Sequence, residues 1–137
     1  MENCIFCKII KNDIPSMKVY EDEFTLAFMD IANDVDGHIL VVPKKHVVNM
    51  LDADNETLHH VYDTVKKVSN MLVEKCGYSG VDILNANGED AGQTVFHLHV
   101  HIIPKFKGDG ITAWPKFNGG KNGVESTYKK ILEEINK

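Results

Sequence analysis

The sequence has few cysteines and no long apolar run. Three cysteines in 137 residues are an odd number, and they do not suggest the disulfide framework of small secreted domains. No stretch approaches the roughly 18 consecutive apolar residues of a membrane-spanning helix, and the first residues lack the basic and apolar regions of a signal peptide. We therefore expect a cytoplasmic protein that does not bind membranes.

An excess of basic residues is also missing. The formal net charge is -5, which argues against broad electrostatic attraction to duplex nucleic acid or to anionic lipid. Neither GxxxxGK[ST] nor GxGxxG, the common glycine-rich phosphate-binding motifs, occurs in the chain. A nucleic acid polymer is therefore not an expected partner, whereas a single nucleotide held by local contacts remains compatible with this composition.

The rest of the composition is typical of one globular domain. The chain is 43% hydrophobic and 26% charged, and it has no internal repeat or linker, so we expect a single domain over residues 1–137. Apolar patterning predicts five strands and three helices. The predicted strands are 18–23, 24–30, 38–43, 81–87 and the histidine-rich segment 97–105, which Pro104 should close. The predicted helices are 4–13, one within 52–78 with Asp54 or Asn55 as the cap and Gly77 as the stop, and 124–137. This is an α+β fold with a mostly antiparallel five-stranded sheet, one long helix and a C-terminal helix.

The most unusual segment is HLHVHIIPK, residues 97–105, in which three histidines alternate with aliphatic residues. Alternation is typical of a strand with two different faces, so His97, His99 and His101 should share one face. Pro104 should end this strand, because it has no N–H to donate. Histidines two apart on a strand have Cβ atoms about 7 Å from each other, and those four apart about 13 Å. We therefore do not expect all three to bind one metal ion.

A second motif is the CxxC pair of Cys4 and Cys7. This spacing provides half of a tetrahedral zinc site. A redox-active pair and two buried thiols are the alternatives, although the redox reading prefers a βαβ context that is not seen here.

Several segments together resemble the histidine triad (HIT) family, whose motif alternates three histidines with aliphatic residues. The matching segments are CIFCKII, LAFMDIANDVDGHILVVPKKH and AGQTVFHLHVHIIPK. They are most similar to the branch that contains nucleotide phosphoramidases. The resemblance covers a core of about residues 3–105, whereas the C-terminal loop and helix, 106–137, match less closely. It implies a HIT-like fold.

The resemblance also implies a reaction at the α-phosphorus of a purine nucleoside 5′-phosphate derivative. By the family pattern, His99 is the nucleophile that forms a covalent nucleotidyl intermediate. His101 binds a phosphoryl oxygen or protonates the leaving group, and His38 lies close to the nucleophile. A neutral imidazole suits this chemistry, because its lone pair is free near neutral pH.

The resemblance implies a nucleotide site as well. Asp30 would bind the ribose hydroxyls, and Gln93 and Thr94 would contact the phosphate. Relatives commonly carry asparagine at the position of Ala86, so Asn87 becomes the candidate for that phosphate contact. The apolar slot for the base would be formed by Ile5, Phe6, Ile9, Phe28, Ile31 and Leu40.

In family members that keep the CxxC pair, a structural zinc ion is held by two cysteines and two histidines. Here these ligands would be Cys4, Cys7, His46 and His97. His97 then binds metal, while His99 and His101 are left for the phosphate. The resemblance further implies a homodimer with a joined sheet.

The leading functional hypothesis is hydrolysis of purine nucleoside 5′-phosphoramidates or related AMP and GMP derivatives. Dinucleoside polyphosphate hydrolysis would use the same residues and is a second possibility. A nucleotide-binding scaffold with vestigial turnover is the non-catalytic alternative.

Overall fold

The computed structural model describes residues 3–32 and 34–137, which contain a five-stranded antiparallel sheet with the order β1-β2-β3-β5-β4. The strands are β1 (Lys18–Glu21), β2 (Thr25–Met29), β3 (Ile39–Pro43), β4 (Gly80–Leu84) and β5 (Val100–Lys105). The helices are α1 (Ile5–Ile10), α2 (Asn55–Cys76) and α3 (Val124–Ile135), with one 3-10 turn at Glu89–Ala91. The predicted α+β architecture is confirmed.

Two apolar clusters cover the two faces of the sheet. On one face, α2 packs its buried stripe of Val61, Val65, Val68 and Leu72 against β-strand residues such as Val100. The other face carries a cluster made of Phe6, Ile9, Leu26, Phe28, Leu40 and Val42. The site histidines lie on this second face, because His101 pairs across the sheet with Leu40 and directly paired residues point the same way.

The long helix begins and ends where the sequence predicts. Asp54 is the N-cap, and its carboxylate accepts a 2.6 Å hydrogen bond from the Thr57 hydroxyl. Gly77 ends the helix with φ of 84°, a left-handed conformation that glycine adopts without a Cβ penalty. The first helix is shorter than predicted, because the chain leaves it at Lys11 and Asn12 adopts φ of 64°.

The histidine-rich strand differs from the prediction at both ends. β5 begins only at Val100, so His97 and His99 precede it, and Pro104 lies inside the strand instead of ending it. The pairing of β3 with β5 stops at Ile102, whereas β4 pairs with β5 as far as Lys105. The backbone nitrogen of Pro104 points to the β3 side, where no residue of β3 lies opposite, so the missing N–H costs no ladder bond.

The C-terminal helix is amphipathic but covers no core. Every residue of α3 is exposed, including Tyr128, Ile131 and Ile135 on its apolar side. None of the helices in the described ranges combines the length and apolar character that a bilayer-spanning helix requires.

Candidate functional site

The chain brings together a group of two cysteines and two histidines from distant segments. Cys4 and Cys7 lie at the start of α1, His46 follows β3, and His97 precedes β5; their ligand atoms all lie within 4.8 Å of one another. The Sγ atoms of Cys4 and Cys7 are 3.3 and 3.5 Å from His97 Nδ1, and the two Nδ1 atoms of His46 and His97 are 3.1 Å apart. Tetrahedral zinc places neighbouring sulfur and nitrogen ligands about 3.3–3.8 Å apart. The geometry is therefore compatible with zinc.

The hydrogen positions in this group of two cysteines and two histidines also suit metal binding. His97 is fully buried, and its Nε2–H donates to the Pro43 carbonyl at 2.9 Å, so the Nδ1 lone pair points at the cysteines. Burial lowers the pKa of His97 to about 4 and raises the pKa of the Cys7 thiol to about 11. Without a cation the cysteine is therefore protonated, whereas a bound metal would favour the thiolate.

The candidate nucleophile His99 is held from two directions. Its Nδ1–H donates to the His97 carbonyl at 2.8 Å, which leaves the lone pair on Nε2. The ring packs edge-on against Phe6, with centroids 5.1 Å apart, and burial lowers its pKa, so the ring is neutral at neutral pH. Asn85 donates to the His99 carbonyl at 2.9 Å and fixes the backbone there.

His38 lies against His101, whose ring in turn packs edge-on against the ring of His99 with centroids 5.0 Å apart. His38 Nε2 and His101 Nδ1 are 2.8 Å apart, and His38 Nδ1 lies 2.8 Å from Asp34 Oδ1 and 3.6 Å from Asp30 Oδ2. Burial and the neighbouring imidazoles of His99 and His38 lower the pKa of His101 to about 4. The result is a hydrogen-bonded line from a carboxylate through two imidazoles.

Two of the expected phosphate contacts are already engaged inside the protein. Gln93 donates to the carbonyls of Val48 and Val95 and accepts from Asn49 and Gly88. The amide of Asn87 accepts from Met50 and donates to Asn85. Both side chains frame the loop before His97, so their predicted phosphate contacts would require some of these bonds to break. Thr94 is exposed, so a phosphate can approach this residue from solvent.

The predicted base slot is partly formed. Phe6, Ile9, Phe28 and Leu40 are buried together on the α1 face of the sheet. Ile5 is about half exposed, and Ile31 is 84% exposed. Asp30 follows β2 next to these residues and is partly buried.

Two residues of the site were not singled out from the sequence. Asn85 follows β4, and its alternation with Asn87 was the available signal, since residues two apart share a face. Asp34 lies four residues before His38 in a loop, and only the folded loop shows that its carboxylate reaches the imidazole.

A cavity of about 530 Å³ opens beside His101. Its lining combines Asp34, His38 and His101 with mostly small or aliphatic side chains, among them Val35, Leu84, Ala86, Ala91, Ile103, Ile111 and Ala113. A second cavity of about 620 Å³ lies next to the cysteines and is lined by Ile5, His46, Thr94 and Val95, among others.

The model of the HIT domain matches residues 11–108, well over half of the chain. The chain belongs to the HIT family. Protein hit of Bacillus subtilis is 50% identical over 113 residues, which cover 82% of this chain and 78% of that protein. The adenosine 5′-monophosphoramidase of Schizosaccharomyces pombe is 38% identical over 136 residues, covering 97% of this chain and 98% of that one.

Solved structures of the HIT family agree with the fold. A zinc-bound histidine triad family protein from Mycobacterium smegmatis superposes with a TM-score of 0.78 at 34% identity, covering 84% of each chain. The HIT family assignment therefore rests both on sequence over most of the chain and on a shared α+β fold.

Proposed function

We propose that this protein hydrolyses purine nucleoside 5′-phosphoramidates through a covalent nucleotidyl-His99 intermediate. The observation that carries this proposal is the hydrogen bond from His99 Nδ1 to the His97 carbonyl at 2.8 Å. Because Nδ1 holds the proton, Nε2 presents its lone pair as the attacking atom. The similarity to an adenosine 5′-monophosphoramidase over nearly the whole chain supports the same reaction class.

The ground state of His99 suits nucleophilic attack. Burial lowers the pKa of the ring, so no proton has to leave before Nε2 attacks phosphorus. Attack forms the Nε2–P bond and breaks the bond from phosphorus to the leaving group, and water then cleaves the Nε2–P bond to give the nucleoside monophosphate. Splitting one displacement into two lowers each barrier.

Recognition of the nucleoside is assigned to the α1 side of the sheet. The apolar cluster around Phe6 and Phe28, whose ring centroids are 5.6 Å apart in an edge-on contact, is the proposed floor of the purine slot. Asp30, at the end of β2, is the proposed acceptor for the ribose hydroxyls. Thr94 remains the proposed phosphate ligand, with Gln93 and Asn87 supporting its loop.

The cavity beside His101 favours an amine over a polyphosphate as the leaving group. An in-line displacement places the leaving group opposite His99 Nε2, where His101 can reach its departing atom. The lining of this cavity contains no lysine among the residues that the structure describes, and all 15 basic residues of the chain are lysines. A polyphosphate would need cationic partners there, whereas an amine with an aliphatic or aromatic body fits the mostly apolar lining.

A structural role is proposed for zinc at Cys4, Cys7, His46 and His97. When bound, the ion would supply a cross-link between the N-terminal helix and the segment that carries the nucleophile. It is assigned no step of the reaction. The zinc-bound family member supports the choice of metal.

A homodimer in the cytoplasm is the proposed state of the protein. Within residues 3–32 and 34–137 no strand pairs with the outer edge of β4, and the apolar side of α3 is exposed, so a second copy is proposed to cover both surfaces.

Mass spectrometry of protein quenched during turnover of an adenosine 5′-phosphoramidate tests the proposed function. We expect one added AMP group, located on a peptide that contains residue 99, and no addition in the His99→Ala variant. Steady turnover with no histidine adduct under rapid quench would contradict the covalent mechanism. Tight AMP binding without turnover would instead support the scaffold hypothesis.

A further inference from the structure

We propose that Asp34 is a positioning residue for the reaction, because its carboxylate keeps a proton on Nδ1 of His38 and so controls how His38 and His101 deliver a proton to the leaving group. This inference rests on the proposed function above. It adds a residue outside the histidine triad to the site.

The geometry fixes the proton on one nitrogen of His38. Asp34 Oδ1 lies 2.8 Å from His38 Nδ1, and an ionised carboxylate can only accept a hydrogen bond, so Nδ1 carries the hydrogen. The same oxygen accepts from the Val35 N–H at 2.9 Å, which holds the carboxylate in place. The His38 bond lowers the pKa of Asp34, consistent with an ionised group.

The other nitrogen of His38 is then committed to His101. His38 Nε2 and His101 Nδ1 are 2.8 Å apart, and only one hydrogen can lie between them. When His38 is neutral, Nε2 accepts this hydrogen from His101, and His101 Nε2 is a bare lone pair. When His38 is charged, His38 Nε2 donates to His101 Nδ1. The single hydrogen of His101 then lies on His101 Nε2, the atom proposed to protonate the leaving group.

Conversion between these two states transfers one proton. As the His99 Nε2–P bond forms and the P–N bond of the substrate breaks, the leaving amine takes the proton from His101 Nε2. His101 Nδ1 takes the proton from His38 Nε2, and His38 becomes neutral. In the second step water loses a proton to His101 Nε2, and His101 Nδ1 passes its own proton to His38 Nε2, so His38 becomes charged again. The oxygen of that water bonds to phosphorus as the His99 Nε2–P bond breaks.

His38 is better placed than His101 to hold the positive charge. The groups that face His38 are Asp34 from the loop, Asp30 from the end of β2 and His101 from β5, with His99 next to His101. Two of these groups are carboxylates, whereas His101 is partly buried and lies between two imidazoles. The low pKa of His101 agrees with this division. Asp34 is 57% exposed, so solvent screens part of its effect.

The test compares Asp34→Asn with Asp36→Asn. Asp36 is an exposed acid two residues away in the same loop, so its substitution removes the same charge from the loop and serves as the matched control. The amide of Asp34→Asn can still accept a hydrogen bond, but it stabilises an imidazolium less than a carboxylate does.

Two substrates distinguish a loss of proton delivery to the leaving group from a loss of activity that affects every substrate. With an adenosine 5′-phosphoramidate of an alkylamine, which must be protonated to leave, we expect kcat of Asp34→Asn to fall about tenfold with little change in KM. With adenosine 5′-(4-nitrophenyl phosphate), whose leaving group needs no proton, we expect a change below about twofold. Asp36→Asn should match the parent throughout.

Equal loss with both substrates, or no loss relative to Asp36→Asn, would overturn the inference. A second measurement does not depend on turnover: imidazole ¹⁵N–¹H NMR of the free protein should show hydrogen on His38 Nδ1 in the parent at neutral pH and a mixture of tautomers in Asp34→Asn. A parent with hydrogen on His38 Nε2 instead would overturn the role of Asp34 alone. The expected tautomer in a protein without turnover would overturn only the proposed reaction.

Discussion

At the scale of single residues, the site depends on which nitrogen of each imidazole carries hydrogen. Three backbone or carboxylate acceptors make that choice: the Pro43 carbonyl for His97, the His97 carbonyl for His99 and Asp34 for His38. In the neutral ring, each leaves the other nitrogen as a lone pair, which points at the two cysteines in His97, at the proposed place of the substrate in His99 and at His101 in His38. His97 and His99, two histidines of one sequence motif, therefore have different environments and different proposed roles.

Replacing the nucleophile should separate catalysis from binding. In His99→Ala we expect turnover of an adenosine 5′-phosphoramidate to fall by at least about 10³-fold, while the Kd for AMP changes by less than about threefold, because the apolar cluster and Asp30 remain. Single-turnover kinetics and calorimetry measure the two quantities. His59→Ala, an exposed histidine on α2, is the control and should behave as the parent. Activity of His99→Ala within tenfold of the parent would remove His99 from the role of nucleophile.

At the scale of elements, the sheet and long helix could be predicted from the sequence because their signals are local. The α2 stripe repeats every three or four residues, and Gly77 marks its end. The alternation of HLHVHI predicts a shared face for the histidines even though β5 begins only at Val100. By contrast, the place of Pro104 inside β5 depends on where β3 stops, and the contact of Asp34 with His38 depends on the path of a loop. Those are properties of the folded chain that no window of sequence contains.

The loop that carries Asp34 is attached to the sheet through Gly37. A Cβ at Gly37 would lie 2.9 Å from Pro104 Cγ and 3.1 Å from the Tyr78 hydroxyl, and φ is +81°. Gly77 has nearly the same φ, +84°, but open space around it. Backbone strain alone should cost about 1 kcal/mol at either position, and the overlap with a proline ring adds to it only at Gly37.

We therefore expect Gly37→Ala to lower Tm by clearly more than Gly77→Ala does. For a domain of this size the strain alone corresponds to about 3–6 °C, and the change at Gly37 should be roughly twice that. Thermal unfolding of both variants and the parent at one protein concentration measures the difference. Equal shifts would mean that the loop moves away from Pro104 at little cost, and the loop would then be a poor support for Asp34.

At the scale of the whole molecule, the apolar side of α3 and the outer edge of β4 are the two surfaces proposed to be covered by a second copy of the chain. The apolar side of α3 is exposed, with Tyr128 at 58%, Ile131 at 56% and Ile135 at 71%. We expect multi-angle light scattering at micromolar concentration to give twice the chain mass of 15.4 kDa. Ile131→Lys should weaken the dimer, whereas Ser126→Lys, which adds the same charge on the opposite side of α3, should not. A monomeric parent would contradict the dimer, and a dimer unaffected by Ile131→Lys would move the interface to the β4 edge.

The proposed zinc ion connects parts of the molecule that are far apart in sequence. Cys4 and Cys7 are 93 and 90 residues from His97, and the four ligands join α1 to the segment before β5. Since the unfolded chain does not hold these groups together, the free energy of binding adds to the free energy of unfolding. We expect one zinc per chain by elemental analysis of protein purified without chelator or added metal.

The double variant Cys4→Ser with Cys7→Ser should lose this zinc and lower Tm, while Cys76→Ser, at an exposed cysteine outside the group, should change neither. A substantial part of kcat should persist in the double variant, because His99 and His101 are not ligands and their contacts to the His97 carbonyl and to His38 do not involve the metal. Parent protein without zinc would count strongly against the site. Complete loss of turnover in a double variant that remains folded would instead mean that the metal takes part in the chemistry, and that His97 acts in the reaction through it.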